Sequence, residues 1–188
     1  MKTTPSYTVI YSDDEIVVLN KKSGLLVAAD RYDAEAPRLD LLAEKEFGSL
    51  FAVHRIDKDT SGLLLVAKTD AAHIFLAEQI KEHSLSRYYE ALVFGNIKED
   101  SGTVDKPLGR NPKDRKKMCI VKSGGKEAVT HYEVLERFGG YTHIRCKLET
   151  GRTHQIRVHM QSLGHPVACD PVYGVKKEKI KWDGGQLL

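Results

Sequence analysis

Between two apolar runs the chain reads HRIDKDTSG, His54 to Gly62, which gathers an imidazole, a guanidinium and two carboxylates in one polar stretch. Asp57 is the residue with the most chemistry to offer. Arg55 and Lys58 stand close to it in sequence, and a second guanidinium, Arg152, follows Gly151 where a helix is expected to begin. A guanidinium beside a carboxylate keeps it ionised and aimed. Such a carboxylate suits nucleophilic or electrostatic work at an electron-poor carbon and is poorly suited to donating protons. The plain alternative is that Asp57 is a turn former or helix cap, the ordinary work of an aspartate in a polar turn.

Other chemistries fit less well. His54 with Asp57, or His154 with His159, invites a metal reading, but the second pair's spacing puts the imidazoles on different helix faces and no cysteine is near either. His54 is expected to brace the loop by hydrogen bonding. Ser61, His54 and Asp59 could be written as a triad, yet nothing resembles a nucleophile elbow. Gly124-Gly125-Lys126 lacks the first glycine and the hydroxyl of a P-loop.

The loop needs rigid neighbours, and the sequence supplies them. Leu63 to Ala67 follows Gly62 without a polar interruption and reads as a strand buried on both faces, with Leu50 to Val53 as a shorter strand before the loop. Tyr7 to Tyr11 and Glu15 to Leu19 form a hairpin through Ser12-Asp13-Asp14; NKKSG, Asn20 to Gly24, is a second turn, and Leu25 to Ala29 resumes an apolar run. A helix is expected over Ala36 to Phe47 with Pro37 in its first turn and Gly48 at its end, and another from a cap at Asp70 to about His83. Tyr88 to Phe94 reads as a strand. Ala128 to Leu135 and Tyr141 to Leu148 read as a hairpin, and Gly102 to Gly125 as a long, basic, partly mobile excursion. Ile156, Met160 and Leu163 then have helical spacing, with Gly164 at the C-terminal cap and Arg152, Gln155 and His159 on the neighbouring face. Strands outnumber helices and βαβ repeats are absent, so the fold class is α+β with a largely antiparallel sheet.

Composition sets outer limits. The 188 residues, 41% hydrophobic and 29% charged, are ordinary for a soluble globular protein. Three scattered cysteines argue against a disulfide framework, and with no secretory h-region or membrane-length apolar run the expected location is the cytoplasm. The net charge of +3 is unevenly spread: Lys113, Arg115, Lys116 and Lys117 form one cluster, and Lys176, Lys177, Lys179 and Lys181 another. Either could be a solvated face; with a reactive loop nearby they read as phosphate contacts.

HRIDKDTSGLLLVAK resembles the HRLDxxTSGLLLxAK signature of the RluA family of pseudouridine synthases, with Ile56 for the usual Leu. DEIVVLNKKSGLLV, RYYEALVFG, PLGR, GGKEAVTHYEVLERF and LETGRTHQIRVHMQSLGHPVACDPVYG resemble the same family in the same order. The resemblance implies a mixed, mainly antiparallel sheet with flanking helices and a central catalytic cleft. It also implies isomerisation of selected uridines in ribosomal or transfer RNA to pseudouridine, by a monomer without metal or cofactor. Under it Asp57 matches the catalytic aspartate, Arg55 the residue that fills the stack vacated by a flipped base, and Tyr89 the active-site tyrosine, with Tyr88 as its neighbour. Arg152 matches the basic partner of the aspartate, while His54 and Lys113, Arg115, Lys116 and Lys117 fall on the RNA side.

Three departures stand out. Lys22 replaces the proline of an NKPxG turn, and Cys169 replaces the common glycine before Asp170, where little consequence is expected. The chain reaches GGQLL where family members continue through a Leu-His-Ala stretch, so the expectation is a single catalytic domain over 1–188 that is trimmed or lacks an edge strand, with no S4-type RNA-binding domain. Two rivals remain open at this point: a nucleoside or glycoside hydrolase, which needs a second carboxylic acid such as Asp59, and a non-catalytic RNA-binding module.

Overall fold

The first hairpin forms because Asp13 turns the chain: its Oδ1 accepts from the amides of Glu15 (2.9 Å) and Ile16 (2.8 Å). On either side run β1 (Tyr7–Ser12) and β2 (Ile16–Lys21), antiparallel, with β4 (Gly62–Ala67) beside β2 and the short β3 (Phe51–Ala52) at the far edge. The computed structural model describes residues 7–29, 36–176, 180, 182 and 184–188. They fall into two compact units, Met1–Leu85 and Ser86–Leu188.

In the first unit the period-two alternation of the strands sends side chains to two cores. Val17, Leu19, Leu64 and Val66 face α1 (Leu39–Phe47), which contributes Leu39 and Ala43. Leu65 and Ala67 join Ala72 and Leu76 of α2 (Asp70–Lys81). The expected burial of β4 on both faces therefore holds from Leu64 onward, but Leu63 is 61% exposed. Two helix starts differ from expectation. Pro37 lies ahead of the first helix, whose N-cap is the extended Arg38, and α2 is capped by Thr69, whose hydroxyl accepts from Ala72 N, so Asp70 is its first residue. Leu25 to Ala29 is not a strand; it lies against the chain before α1, with a parallel bridge from Leu26 to Arg38.

The second unit is built on a four-stranded antiparallel sheet in the order β5 (Arg87–Phe94), β10 (Tyr141–Leu148), β9 (Val129–Phe138), β6 (Ser101–Asp105). Its inner face packs Ala91, Val93, Ile144 and Cys146 against Ile156 and Met160 of α3 (Gln155–Ser162). The region expected to be a loose excursion instead holds β6 and a second hairpin, β7 (Leu108–Arg110) with β8 (Met118–Ile120). Its apolar pieces are short but not idle: Leu108, Met118 and Ile120 pack with Val158 of α3 and with Tyr173. Every strand ladder in the two units is antiparallel. Among the described residues no helix is long and apolar enough to cross a membrane.

Candidate active-site residues

The 54–61 loop is pinned by a residue that its own sequence does not contain. β2 ends at Lys21, and the alternation that buries Val17 and Leu19 buries Lys21 as well, with none of its surface exposed. An ammonium has three protons to give, and Lys21 Nζ reaches three carbonyls: Lys22 at 3.0 Å, Leu25 at 2.8 Å and Lys58 at 2.8 Å. Lys58 O also accepts from Gly24 N at 2.9 Å, and Ser23 Oγ donates to Asp59 O at 2.9 Å. The NKKSG turn thus grips the backbone on the C-terminal side of Asp57. Burial lowers the Lys21 pKa to about 8, against the opposing pull of the Asp59 and Asp57 carboxylates.

The loop's other fixings are local. Thr60 N donates to Asp57 O at 3.2 Å, and the Ile56 side chain packs on the α1 core, leaving Arg55 exposed and Asp57 half-buried. His54 Nε2 accepts from Leu65 N at 3.3 Å, which ties the loop's start to β4. Gly62 closes the loop at φ 127, a backbone region that side chains rarely adopt.

Tyr89 and Arg152 both lie in the second unit. β5 places Tyr88 and Tyr89 on opposite faces: Tyr88 is 59% exposed, while Tyr89 is half-buried against the α3 core. Arg87 shares a face with Tyr89, donates from Nη2 to Glu149 O at 3.2 Å, and lies so close to Gly151 that its Nη1 would meet any Cβ there. Arg87 pairs with Leu148, so Tyr89 and Arg152 belong to the same end of the sheet.

Arg152 does not begin the helix. His154, the N-cap of α3, sits in the left-handed region at φ 56, and Arg152 precedes it in the connection. A buried chain of hydrogen bonds fixes that connection. His159 is fully buried, and its Nε2 lies 3.0 Å from Lys106 O; a carbonyl only accepts, so Nε2 carries the proton and Nδ1 accepts from Thr130 Oγ1 at 2.9 Å. Thr130 Oγ1 in turn accepts from Gln155 Nε2 at 3.0 Å, and Gln155 Oε1 accepts from Thr150 Oγ1 at 2.7 Å and Arg152 N at 3.0 Å. Burial lowers the His159 pKa from its ordinary 6.5, which keeps the ring neutral as this order requires. The Arg152 side chain is held by Nε donating to Glu127 O at 2.8 Å.

The basic residues Lys113, Arg115 and Lys116 are exposed, and Lys117 is partly so, at the tip of the β7–β8 hairpin. Asn111 Oδ1 shapes the tip by accepting from Lys113 N and Asp114 N, and Arg110 donates to Arg115 O at 3.0 Å. Of the second cluster Lys176 is exposed, while Lys177, Lys179 and Lys181 lie outside the described residues. No group of three His, Cys, Asp or Glu among the described residues could hold a metal ion.

The family model described as RNA pseudouridylate synthase matches residues 15–162, a span that contains Asp57, Arg55, Tyr89 and Arg152. The chain belongs to the RNA pseudouridylate synthase family. It is 48% identical over 182 residues to ribosomal large subunit pseudouridine synthase D of Pseudomonas aeruginosa, covering 88% of this chain and 53% of that protein. It is 50% identical over 116 residues to an uncharacterized RNA pseudouridine synthase of Bacillus subtilis, covering 62% of this chain and 38% of that one. The chain thus spans about half the length, or less, of these curated relatives. Among solved structures it is similar to human RNA pseudouridylate synthase domain containing 1, with a TM-score of 0.77 and 30% identity over 94% of this chain and 73% of that one. The pseudouridine synthase fold expected from the motifs is the fold observed.

Sequence reasoning missed two members of this family member's framework. Lys21 was hidden in a stretch that reads as a turn, although the alternation Val17, Leu19, Lys21 marks it as inward-facing. Arg87 lies just outside the strand expected over Tyr88 to Phe94, and only the fold brings it to Gly151.

Proposed function

We propose that this chain isomerises selected uridines in RNA to pseudouridine, with Asp57 as the catalytic carboxylate. The observation that carries the proposal is the family match over 15–162, which includes Asp57 on a loop anchored from below by Lys21. Reaching a stacked base requires its extrusion, which costs a few kcal/mol. Arg55, exposed beside Asp57, is suited to fill the vacated stack, and the cations of the β7–β8 hairpin supply phosphate contacts.

In the reaction the bond from ribose C1′ to uracil N1 breaks, the ring turns, and a bond forms from C1′ to C5. The C5 proton leaves and N1 gains one, so atoms balance without oxidant, reductant or added water. Asp57 attacks the ribose or the base ring to open the first bond, Arg152 supplies positive charge to the reaction, and Tyr89 stacks on the base or relays the C5 proton. The relatives' names favour large-subunit ribosomal RNA over transfer RNA as the substrate.

The test is an unmodified large-subunit ribosomal RNA transcript incubated with the chain and read by mass spectrometry after nuclease digestion. Pseudouridine at unchanged RNA mass supports the proposal, and release of free uracil supports a hydrolase instead. Asp57→Asn is expected to abolish product while RNA binding survives; turnover near the wild-type rate would overturn the assignment of Asp57.

A further inference from the structure

Tyr173 lies in DPVYG, beyond the matched span, and has no part in the reaction above. It is 4% exposed, and its hydroxyl stands between two segments that matter to that reaction. Met118 N donates to the phenolic oxygen at 2.8 Å, and the same oxygen lies 2.8 Å from His154 Nδ1. The amide donates to the phenolic oxygen, and the hydroxyl and Nδ1 share the second hydrogen bond, whose direction follows the tautomer of His154. One bond therefore holds β8, directly after the basic tip of the hairpin. The other holds His154, the left-handed residue two places after Arg152.

The phenol is itself fixed on several sides. Its ring meets the His154 ring edge-on at 5.5 Å, and the Arg157 guanidinium lies 5.0 Å over its face. Arg157 is locked by Asp170 through contacts of 2.7 Å and 2.9 Å, Asp170 Oδ1 accepts from Tyr173 N at 3.0 Å, and Gln161 Nε2 donates to Tyr173 O at 3.1 Å. A group this constrained does not yield when one neighbour moves; it passes the displacement on.

We propose that Tyr173 is a positioning residue that couples phosphate contacts on the β7–β8 hairpin to the orientation of Arg152. The inference rests on the RNA-isomerase reading and adds to it a reason why backbone contacts far from the base influence the chemical step. RNA held by Lys113, Arg115 and Lys116 fixes the hairpin, Met118 fixes the phenol, and the phenol fixes the turn that carries Arg152.

Tyr173→Phe removes the hydroxyl and keeps the ring over Arg157. On the unmodified large-subunit ribosomal RNA transcript, kcat is expected to fall about three- to tenfold, the range carried by one neutral hydrogen bond, with KM within about twofold of wild type. Hydrogen exchange read by mass spectrometry gives a second measure. RNA is expected to slow exchange across 150–155 in the wild type and to lose that effect in Tyr173→Phe. His154→Gly, which relaxes the left-handed backbone but removes the imidazole, is expected to reproduce the defect and to carry the test if Tyr173→Phe does not fold. His154→Asn, which tolerates the same backbone and offers a side-chain amide, acceptor and donor, in place of Nδ1, is expected to restore both readouts. The coupling is overturned if Tyr173→Phe lowers thermal stability but leaves kcat and the RNA-dependent protection of 150–155 as in the wild type. A wild-type chain that forms no pseudouridine overturns the function itself, which is a separate result.

Discussion

Replacing Lys21 with methionine separates what a buried ammonium does for stability from what it does for the loop. The side chains are similar in length, so packing is largely kept, but three donors vanish. Of the carbonyls left behind, Lys58 O keeps the Gly24 amide, Lys22 O belongs to an exposed residue that water can reach, and Leu25 O is buried. One orphaned buried acceptor costs about 1–3 kcal/mol. On the other side, a pKa lowered from 10.5 to about 8 means that the charged form is disfavoured by about 3 kcal/mol relative to the neutral amine. The two effects offset, and the net change in unfolding free energy at pH 7.5 is expected to stay within about 2 kcal/mol.

Activity should respond more strongly than stability. The loop around Asp57 keeps the Gly24 and Ser23 contacts but loses the Lys21 bond to Lys58 O. A misplacement approaching 1 Å at a reacting group costs on the order of a hundredfold in rate. The pH dependence adds a signature. The folded-state pKa lies below the unfolded value, so between pH 8 and 10.5 the unfolded chain binds more protons and folding strengthens as pH rises. Urea titrations of both proteins across that range should show wild type gaining on Lys21→Met by up to about 1.4 kcal/mol per pH unit. A stability gap independent of pH from 8 to 10, or Lys21→Met turnover within twofold of wild type, would refute this reasoning.

Asp170→Asn should cost about 3–5 kcal/mol in chemical denaturation, because it turns the amide NH2 or a neutral oxygen toward a buried guanidinium that has lost its counter-charge. Burial pushes the Asp170 carboxyl up, but the hydrogen bonds and charge of Arg157 and the amides of Tyr173 and Val172 hold it below 3.8. The pair's contribution is thus complete above pH 3.8 and is lost as pH falls through the folded pKa, where the gap between wild type and Asp170→Asn should narrow. Cys169 adopts φ 58, a cost of about 1–2 kcal/mol for a residue with a Cβ. Cys169→Gly should therefore raise thermal stability by up to about 1 kcal/mol once glycine's greater unfolded-state entropy is counted; a fall would show that the Sγ contact to Ile180 O matters more.

The 54–61 loop and β4 behind it were legible because apolar runs and a polar interruption are one-dimensional signals. So were the β1–β2 and β9–β10 hairpins and the approximate spans of α1, α2 and α3. Helix starts shifted where two cap-forming residues are adjacent, as at Thr69 and Asp70, since either side chain can accept the first free amides. Arg152 was placed on a helix because nothing in THQIR announces that His154 will turn left-handed. The β7–β8 hairpin reads as an excursion because its strands are only three residues long, and the value of their apolar side chains depends on Val158 and Tyr173, which lie far along the chain. At Cys169 the departure from the family's glycine was visible, but the backbone angle that gives it meaning was not.

The hydrogen-bonded chain from Lys106 O through His159, Thr130 and Gln155 to Arg152 N also limits how this sequence can drift. Every link has its donor assigned by a carbonyl at one end and an amide at the other. The positions cannot change one at a time: valine at Thr130 keeps the shape but leaves His159 Nδ1 without a donor, and glutamate at Gln155 faces Thr130 Oγ1 with a second acceptor. The exception is serine at Thr130, which keeps every direction intact. Thr130, Thr150, Gln155 and His159 are therefore a single heritable unit, spread over a strand, a turn and a helix, and substitutions among them should be found together or not at all.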